Sequence, residues 1–323
     1  MTPSDSTDKV KVLYIAGWGR SGSTLLGRVL GQIDQFFLVG ELRYLWDRGL
    51  IENRFCSCGA AFDQCPVWQE VVSRTFEDGH ISAEALVRLR EQGLRTRHML
   101  LTPTQKSLRA KVAGMGEYPA LVEKLYNVVR EVGHSRVIVD TSKFPSYGYV
   151  LRNMSSVDLY VLHLVRDPRA AAYSWGSRRK LKLDNGVGSG KFMTSHNFAE
   201  SSLAWNEWNL ALENLRRQEP GRYMLLRYED FVESPRSTVE SILRLLGEGA
   251  ESSPFIGDRQ VKLAVPHTFS GNPDRFSGGE ITIKPEASWK RNMSAARQAA
   301  VTALTWPGMI RYKYPLRPQI QKT

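Results

Sequence analysis

The chain alternates between short apolar runs and longer stretches in which apolar residues recur every three to four positions. Val10–Ala16 and residues 36–39, 137–139, 159–165 and 223–226 are rich in β-branched and aliphatic side chains and bounded by polar residues or glycine. Runs this short and this uniformly apolar predict strands buried on both faces of a sheet. Between them, Leu25, Leu26, Val29, Leu30 and Ile33 fall on one helical face. Leu121, Val122, Leu125, Val128, Val129 and Val132 fall on another, in a helix that Pro119 would start and Gly133 would end. Ser82 ahead of Ala83 and Glu84 predicts a further helix start, 195–217 a long helix, and 237–246 one stopped by Gly247. Strands and helices in alternation imply an α/β fold, a mostly parallel sheet flanked by helices. The stretch beginning at Glu77 carries helical periodicity only, which predicts a helical insertion over about 77–130 that forms one wall of a substrate cleft. After Gly247 the chain turns rich in glycine and proline, a long loop that calls for a purpose.

With 323 residues, 42% of them hydrophobic, the chain suffices for one domain, placed here at 10–323 behind a flexible 1–9. A formal charge of +11 favours anionic ligands without choosing among them. Residues 1–9 are polar and no later stretch approaches about 18 uninterrupted apolar residues, so the expectation is a cytoplasmic protein with no transmembrane segment. The only cysteines, Cys56, Cys58 and Cys65, lie within ten residues, unlike a disulfide-built secreted domain. They could hold zinc with a fourth ligand from elsewhere, or form a disulfide plus a spare thiol, or remain a reduced turn.

Candidate chemistry begins at Gly17-Trp18-Gly19-Arg20-Ser21-Gly22-Ser23-Thr24, which joins the first strand to the first helix. A Gly-rich turn between strand and helix aims backbone N–H groups at an anion. The spacing from Gly17 to Gly22 and Thr24 fits a nucleotide phosphate loop, except that Ser23 stands where a kinase or NTPase needs its lysine; the loop's cation is Arg20. A second anion site is predicted after strand 159–165, where Arg166 at the strand end and Ser174 and Arg178, four apart on the next helix, converge at the carboxyl edge of the sheet.

The loop from Arg20 to Leu26 resembles the 5′-phosphosulfate loop of sulfotransferases that use 3′-phosphoadenosine-5′-phosphosulfate (PAPS), particularly the carbohydrate and tyrosylprotein branches. Leu164-Val165-Arg166-Asp167-Pro168-Arg169 with Ser174 resembles that family's 3′-phosphate element, and Arg178 a further phosphate contact. Tyr228 resembles a tyrosine near the nucleotide, or is simply core or rim. His267, Gly271, Pro273, Ser277, Lys284 and Trp289 resemble the family's late segment, which folds over the nucleotide and lends it a serine and a lysine. Arg275 is a further phosphate partner on charge alone.

The resemblance implies a P-loop-like fold, PAPS as co-substrate released as adenosine 3′,5′-bisphosphate, no metal requirement, and a hydroxyl acceptor on a sugar, lipid or natural product. It implies phosphosulfate contacts from Arg20, Ser21, Gly22, Ser23, Thr24 and Leu25. In-line sulfuryl transfer needs a base, cations for the leaving group and fixed geometry. Glu41 and Arg43, after strand 36–39, resemble the tyrosylprotein branch's base and orienting residue; Glu41 could equally be a structural partner of Arg20. Lys143, after strand 137–139, resembles the lysine that neutralises transition-state charge, or is a solvated loop lysine. His163, within an apolar strand, reads as a core histidine. The basic run 178–182 lacks interleaved aromatics, which argues against nucleic acid as a partner.

Overall fold

The structure is a computed structural model that describes residues 9–77, 79, 81–101, 104–176, 195–218, 220–249 and 253–319. Five strands, β1 (Val10–Ala16), β2 (Phe36–Gly40), β3 (Val137–Lys143), β4 (Val157–Val165) and β5 (Tyr223–Arg227), form one parallel sheet in the order β2-β3-β1-β4-β5. Each apolar run of the sequence is therefore a strand. A separate hairpin pairs β6 (Gln260–Leu263) with β7 (Gly279–Thr282).

The helices are α1 (Ser23–Leu30), α2 (Pro66–Thr75), α3 (Ala83–Gln92), α4 (Thr96–Leu101), α5 (Gln105–Ala113), α6 (Tyr118–Val132) and α7 (Pro145–Arg152). They continue as α8 (Pro168–Gly176), α9 (Phe198–Gln218), α10 (Tyr228–Glu233), α11 (Pro235–Leu246), α12 (Ser288–Asn292) and α13 (Ala295–Arg311). Their ends obey the local signals. Ser82 accepts from Ala85 N–H at the start of α3, Pro119 lies in the first turn of α6, and Gly247 closes α11 in the left-handed region at φ 68°.

Strand alternation divides the core between the two faces. Val10, Val12 and Tyr14 of β1 join Tyr126 and Val129 of α6 and Leu212 and Leu215 of α9. Leu13 and Ile15 join Leu26, Val29 and Leu30 of α1 and Val239, Ile242 and Leu243 of α11. His163 of β4 is wholly buried on the first side, bonded to the Tyr223 hydroxyl and, at 2.6 Å, to Asn209 Oδ1. Burial pulls its imidazole down to about 4, so it is a neutral core histidine.

Because all five strands run parallel, all five carboxyl ends open on one edge of the sheet. The residues that follow them are Gly17, Glu41, Phe144, Arg166 and Tyr228, with Lys143 the last residue of β3.

Candidate active site

A cavity of about 840 Å³ opens at that edge, lined among others by Arg20, Gly22, Ser23, Thr24, Leu25, Glu41, Lys143, Arg166, Ser174, Tyr228 and Ser277. The loop 17–24 forms its floor. Gly22 adopts φ 90°, and a Cβ there would lie 2.4 Å from the Tyr228 ring, so glycine is needed for both the turn and the approach. The first helical bond of α1 runs from Leu26 N–H to the Gly22 carbonyl, and the N–H groups before it have no partner within the helix. No acidic side chain stands in the first turn of α1. Such a helix end favours an anion.

Side chains from other elements hold the loop. Arg166 Nη1 donates to the Arg20 carbonyl (2.9 Å) and Trp175 Nε1 to the Gly19 carbonyl (3.0 Å). The Ser21 hydroxyl turns inward to the Trp18 carbonyl (2.5 Å), so Ser21 shapes the loop while its side chain stays off the cavity. Arg20 lies over the Trp175 ring at 5.0 Å. Arg20 and Lys143 both sit at positive φ, 69° and 73°, a backbone state that side-chain-bearing residues seldom occupy and that concentrates at functional sites.

At one end of the cavity Glu41 takes an ion pair from Lys143 on one carboxylate oxygen. Its other oxygen accepts from Arg48 Nη1 (2.8 Å) and from Ser270 Oγ (3.0 Å). Burial pushes the carboxyl pKa up, but the charges of Lys143 and Arg48 and the bonds from Lys143 and Ser270 outweigh it and bring the group to about 2. Glu41 is an ionised, fully bonded carboxylate. Behind Lys143, burial lifts the carboxyl of Asp140 to about 6 against the bonds from Ser142 N–H (2.6 Å) and the Tyr126 hydroxyl.

At the other end Arg166 stacks on Tyr228 at 4.6 Å and donates from Nη2 to Glu286 Oε2 at 2.6 Å. Ser174 faces the same space. Asp167 belongs to the protein rather than the cavity: it accepts from Arg169 Nε (2.9 Å) and Nη2 (2.6 Å), both residues being buried.

Three sequence expectations land elsewhere. The guanidinium of Arg43 lies over the Phe144 ring at 4.0 Å, off the cavity lining, and the arginine that reaches Glu41 is Arg48. Arg48 rides on Leu45–Ile51, a wide π-type helical turn, and no spacing rule predicts where such a turn aims a side chain. Lys284 is exposed and outside the lining, just past the end of β7. Arg275 is buried and donates from Nη1 to the carbonyls of Phe55 (3.0 Å) and Thr268, so it ties loops together. Arg178 lies outside the described residues, as does the run 178–182.

The segment 77–130 does not wall the cavity, whose lining includes no described residue from it. Its helices back the wall instead. Buried Arg90 of α3 forms a paired bond to Asp47 (3.2 Å on each oxygen) and reaches the Arg43 carbonyl (3.0 Å), clamping the segment that carries Arg48. Sequence reasoning also missed Ser270, Glu286 and an aromatic floor of Trp18, Trp175, His196 and Trp208.

A model described as the sulfotransferase family matches residues 13–251. Mouse (Mus musculus) carbohydrate sulfotransferase 5 is 24% identical over 281 residues, 77% of this chain and 66% of the mouse protein. Human (Homo sapiens) carbohydrate sulfotransferase 6 is 24% identical over 280 residues, 76% and 66% of the two chains. The chain thus spans just under two thirds of the length of these relatives. The sulfotransferase domain from the Synechococcus PCC 7002 olefin synthase superposes with a TM-score of 0.49 at 21% identity, covering 97% of this chain and 98% of that one.

Proposed function

Because this chain belongs to the sulfotransferase family, we propose that its cavity binds PAPS across both ends and passes the sulfuryl group to a hydroxyl of a sugar-like acceptor. The observation that supports the reading is one cavity lined by the glycine-rich loop, by the Glu41–Lys143 pair and by Arg166, whose cations could serve two anionic groups of one ligand. The N–H groups of residues 22–25 and Arg20 suit the 5′-phosphosulfate, and Arg166 with Ser174 suits the 3′-phosphate.

In the transfer, the bond from sulfur to the bridging 5′-phosphate oxygen breaks as one to the acceptor oxygen forms, and the acceptor proton passes to Glu41. A carboxylate held near 2 is a poor base. Donor binding supplies the remedy, because Lys143 has a second anion to serve. As Lys143 swings to the bridging oxygen, where negative charge builds, Glu41 loses its strongest cation and gains basicity. One lysine thus couples base activation to donor occupancy.

The acceptor class rests on two supports: the relatives are named carbohydrate sulfotransferases, and the half-buried aromatic side chains of Trp208 and Phe144, with ring centroids 4.5 Å apart, line the cavity where a sugar's C–H face could pack. The test is an assay with radiolabelled PAPS, the purified protein and panels of sugars, lipids and phenols. Label transfer to a sugar hydroxyl, with equimolar adenosine 3′,5′-bisphosphate, is expected. Transfer only to non-sugar hydroxyls would overturn the acceptor class, and turnover of Mg-ATP without use of PAPS would overturn the donor.

A further inference from the structure

Away from the cavity, four side chains meet that the transfer chemistry does not use. Cys56, Cys58 and Cys65 come from one short turn region, and His267 reaches them from the late segment some 200 residues further on. Their ligating atoms all lie within 4.8 Å of one another. The Sγ atoms of Cys58 and Cys65 are 3.8 Å apart, and His267 Nδ1 is 3.8 Å from Cys56 Sγ and 3.3 Å from Cys65 Sγ.

These three of the six separations are close to those of a coordination tetrahedron, and the remaining ones stay within 4.8 Å. With Zn–S of about 2.3 Å and Zn–N of about 2.0–2.1 Å, tetrahedral angles require S···S of about 3.8 Å and S···N of about 3.5 Å. Cys65 also stands at the N-terminal cap of the ten-residue helix α2, where a negative charge is favoured. Cys56 and Cys65 are buried while Cys58 is exposed and His267 half-buried, which leaves an entry path.

We propose that Cys56, Cys58, Cys65 and His267 hold a structural zinc ion that fastens the late segment to the turn at 56–65. Three thiolates and one imidazole, all four positions filled by protein, form a closed site that suits zinc and leaves no position for a reacting water. Both partners are already aligned: Ser57 N–H and Oγ donate to the Thr268 carbonyl, each at 2.8 Å, and Arg275 links the Phe55 and Thr268 carbonyls. Fastening matters because the residues just past His267 meet the cavity. Ser270 bonds Glu41, and Gly271 and Asn272 line the wall.

The test begins with the wild-type protein, prepared with reductant and dialysed against zinc. Metal analysis is expected to return about one zinc per chain, and cobalt substitution to give the visible d–d bands of a tetrahedral thiolate site. Cys58→Ser, which alters the exposed ligand, should weaken zinc at least about 100-fold against a competing chelator, since even outer-shell losses cost 10–100-fold. Chelation should also speed proteolytic cleavage within 264–278. Substoichiometric zinc after reconstitution, or a Cys58–Cys65 disulfide in the reduced-purified protein, would overturn the site. Zinc loss that leaves cleavage within 264–278 unchanged would overturn its fastening role. None of these readouts depends on PAPS, so the zinc site and the donor reading can fail separately.

Discussion

Two acid–base pairs sit in one cavity and behave differently. Glu41 is 12% exposed at the end of β2, and its carboxylate is bonded by Lys143, Arg48 and Ser270. Glu286 is 40% exposed on the segment between β7 and α12, where Arg166 and the backbone and hydroxyl of Ser288 hold it. The first acid is built into the sheet edge, while the second borrows a cation that the 3′-phosphate would claim. Under the proposed function Glu41 is the base and Glu286 a placeholder, and the two differ in how many fixed elements hold them. Glu41 answers to three, from β3, the π-type turn and the late segment.

The sharpest way to break this contrast is Glu41→Gln. Loss of a general base should cut kcat by about 10²–10⁴-fold while adenosine 3′,5′-bisphosphate binds within a few-fold of wild type. Near-normal turnover would move the base elsewhere.

A pH series sharpens the same end of the cavity. The Glu41 carboxyl is depressed from 4.5 to about 2, so its contribution to stability is present above pH 4.5 and is lost as pH falls toward 2. The shift corresponds to about 3 kcal/mol. The stability advantage of wild type over Glu41→Gln, measured by urea unfolding, should therefore shrink by up to that amount between pH 5 and pH 2.

At the other end the effect is smaller. Glu286→Gln frees Arg166 of a half-exposed ion pair, the kind worth roughly 0.2–1 kcal/mol. Bisphosphate should bind about two- to five-fold tighter by calorimetry, and unchanged or weaker binding would give Glu286 a role beyond placeholder.

The sheet edge was legible in the sequence because parallel topology sends every strand end to one place. Loop 17–24, Glu41, Lys143, Arg166 and Tyr228 each follow or close an apolar run, so recognising the strands locates the residues. The parts that were not legible depend on where longer connections return. Arg43, expected as the orienting residue two positions after Glu41, lies over Phe144, and the π-type turn brings Arg48 to Glu41 instead. Glu286, Ser270 and His267 arrive from the late segment, whose path is set by contacts such as Arg275 with Phe55 and Thr268 rather than by periodicity. The helical segment after Glu77 misled for the same reason: its amphipathic faces are plain in the sequence, but not which side of the Arg48 turn they cover.

The most direct test of the account is the 3′-phosphate itself, measured as the calorimetric affinity of adenosine 3′,5′-bisphosphate relative to AMP in wild type and in Arg166→Ala. The account predicts that wild type prefers the bisphosphate and that the variant loses about 10- to 100-fold in bisphosphate affinity, in keeping with charge-assisted bonds of roughly 1.5–3 kcal/mol, while AMP, which loses only the bond from Arg166 that braces the Arg20 carbonyl, weakens less. Equal binding of the two nucleotides by wild type, or equal losses of both in the variant, would contradict it.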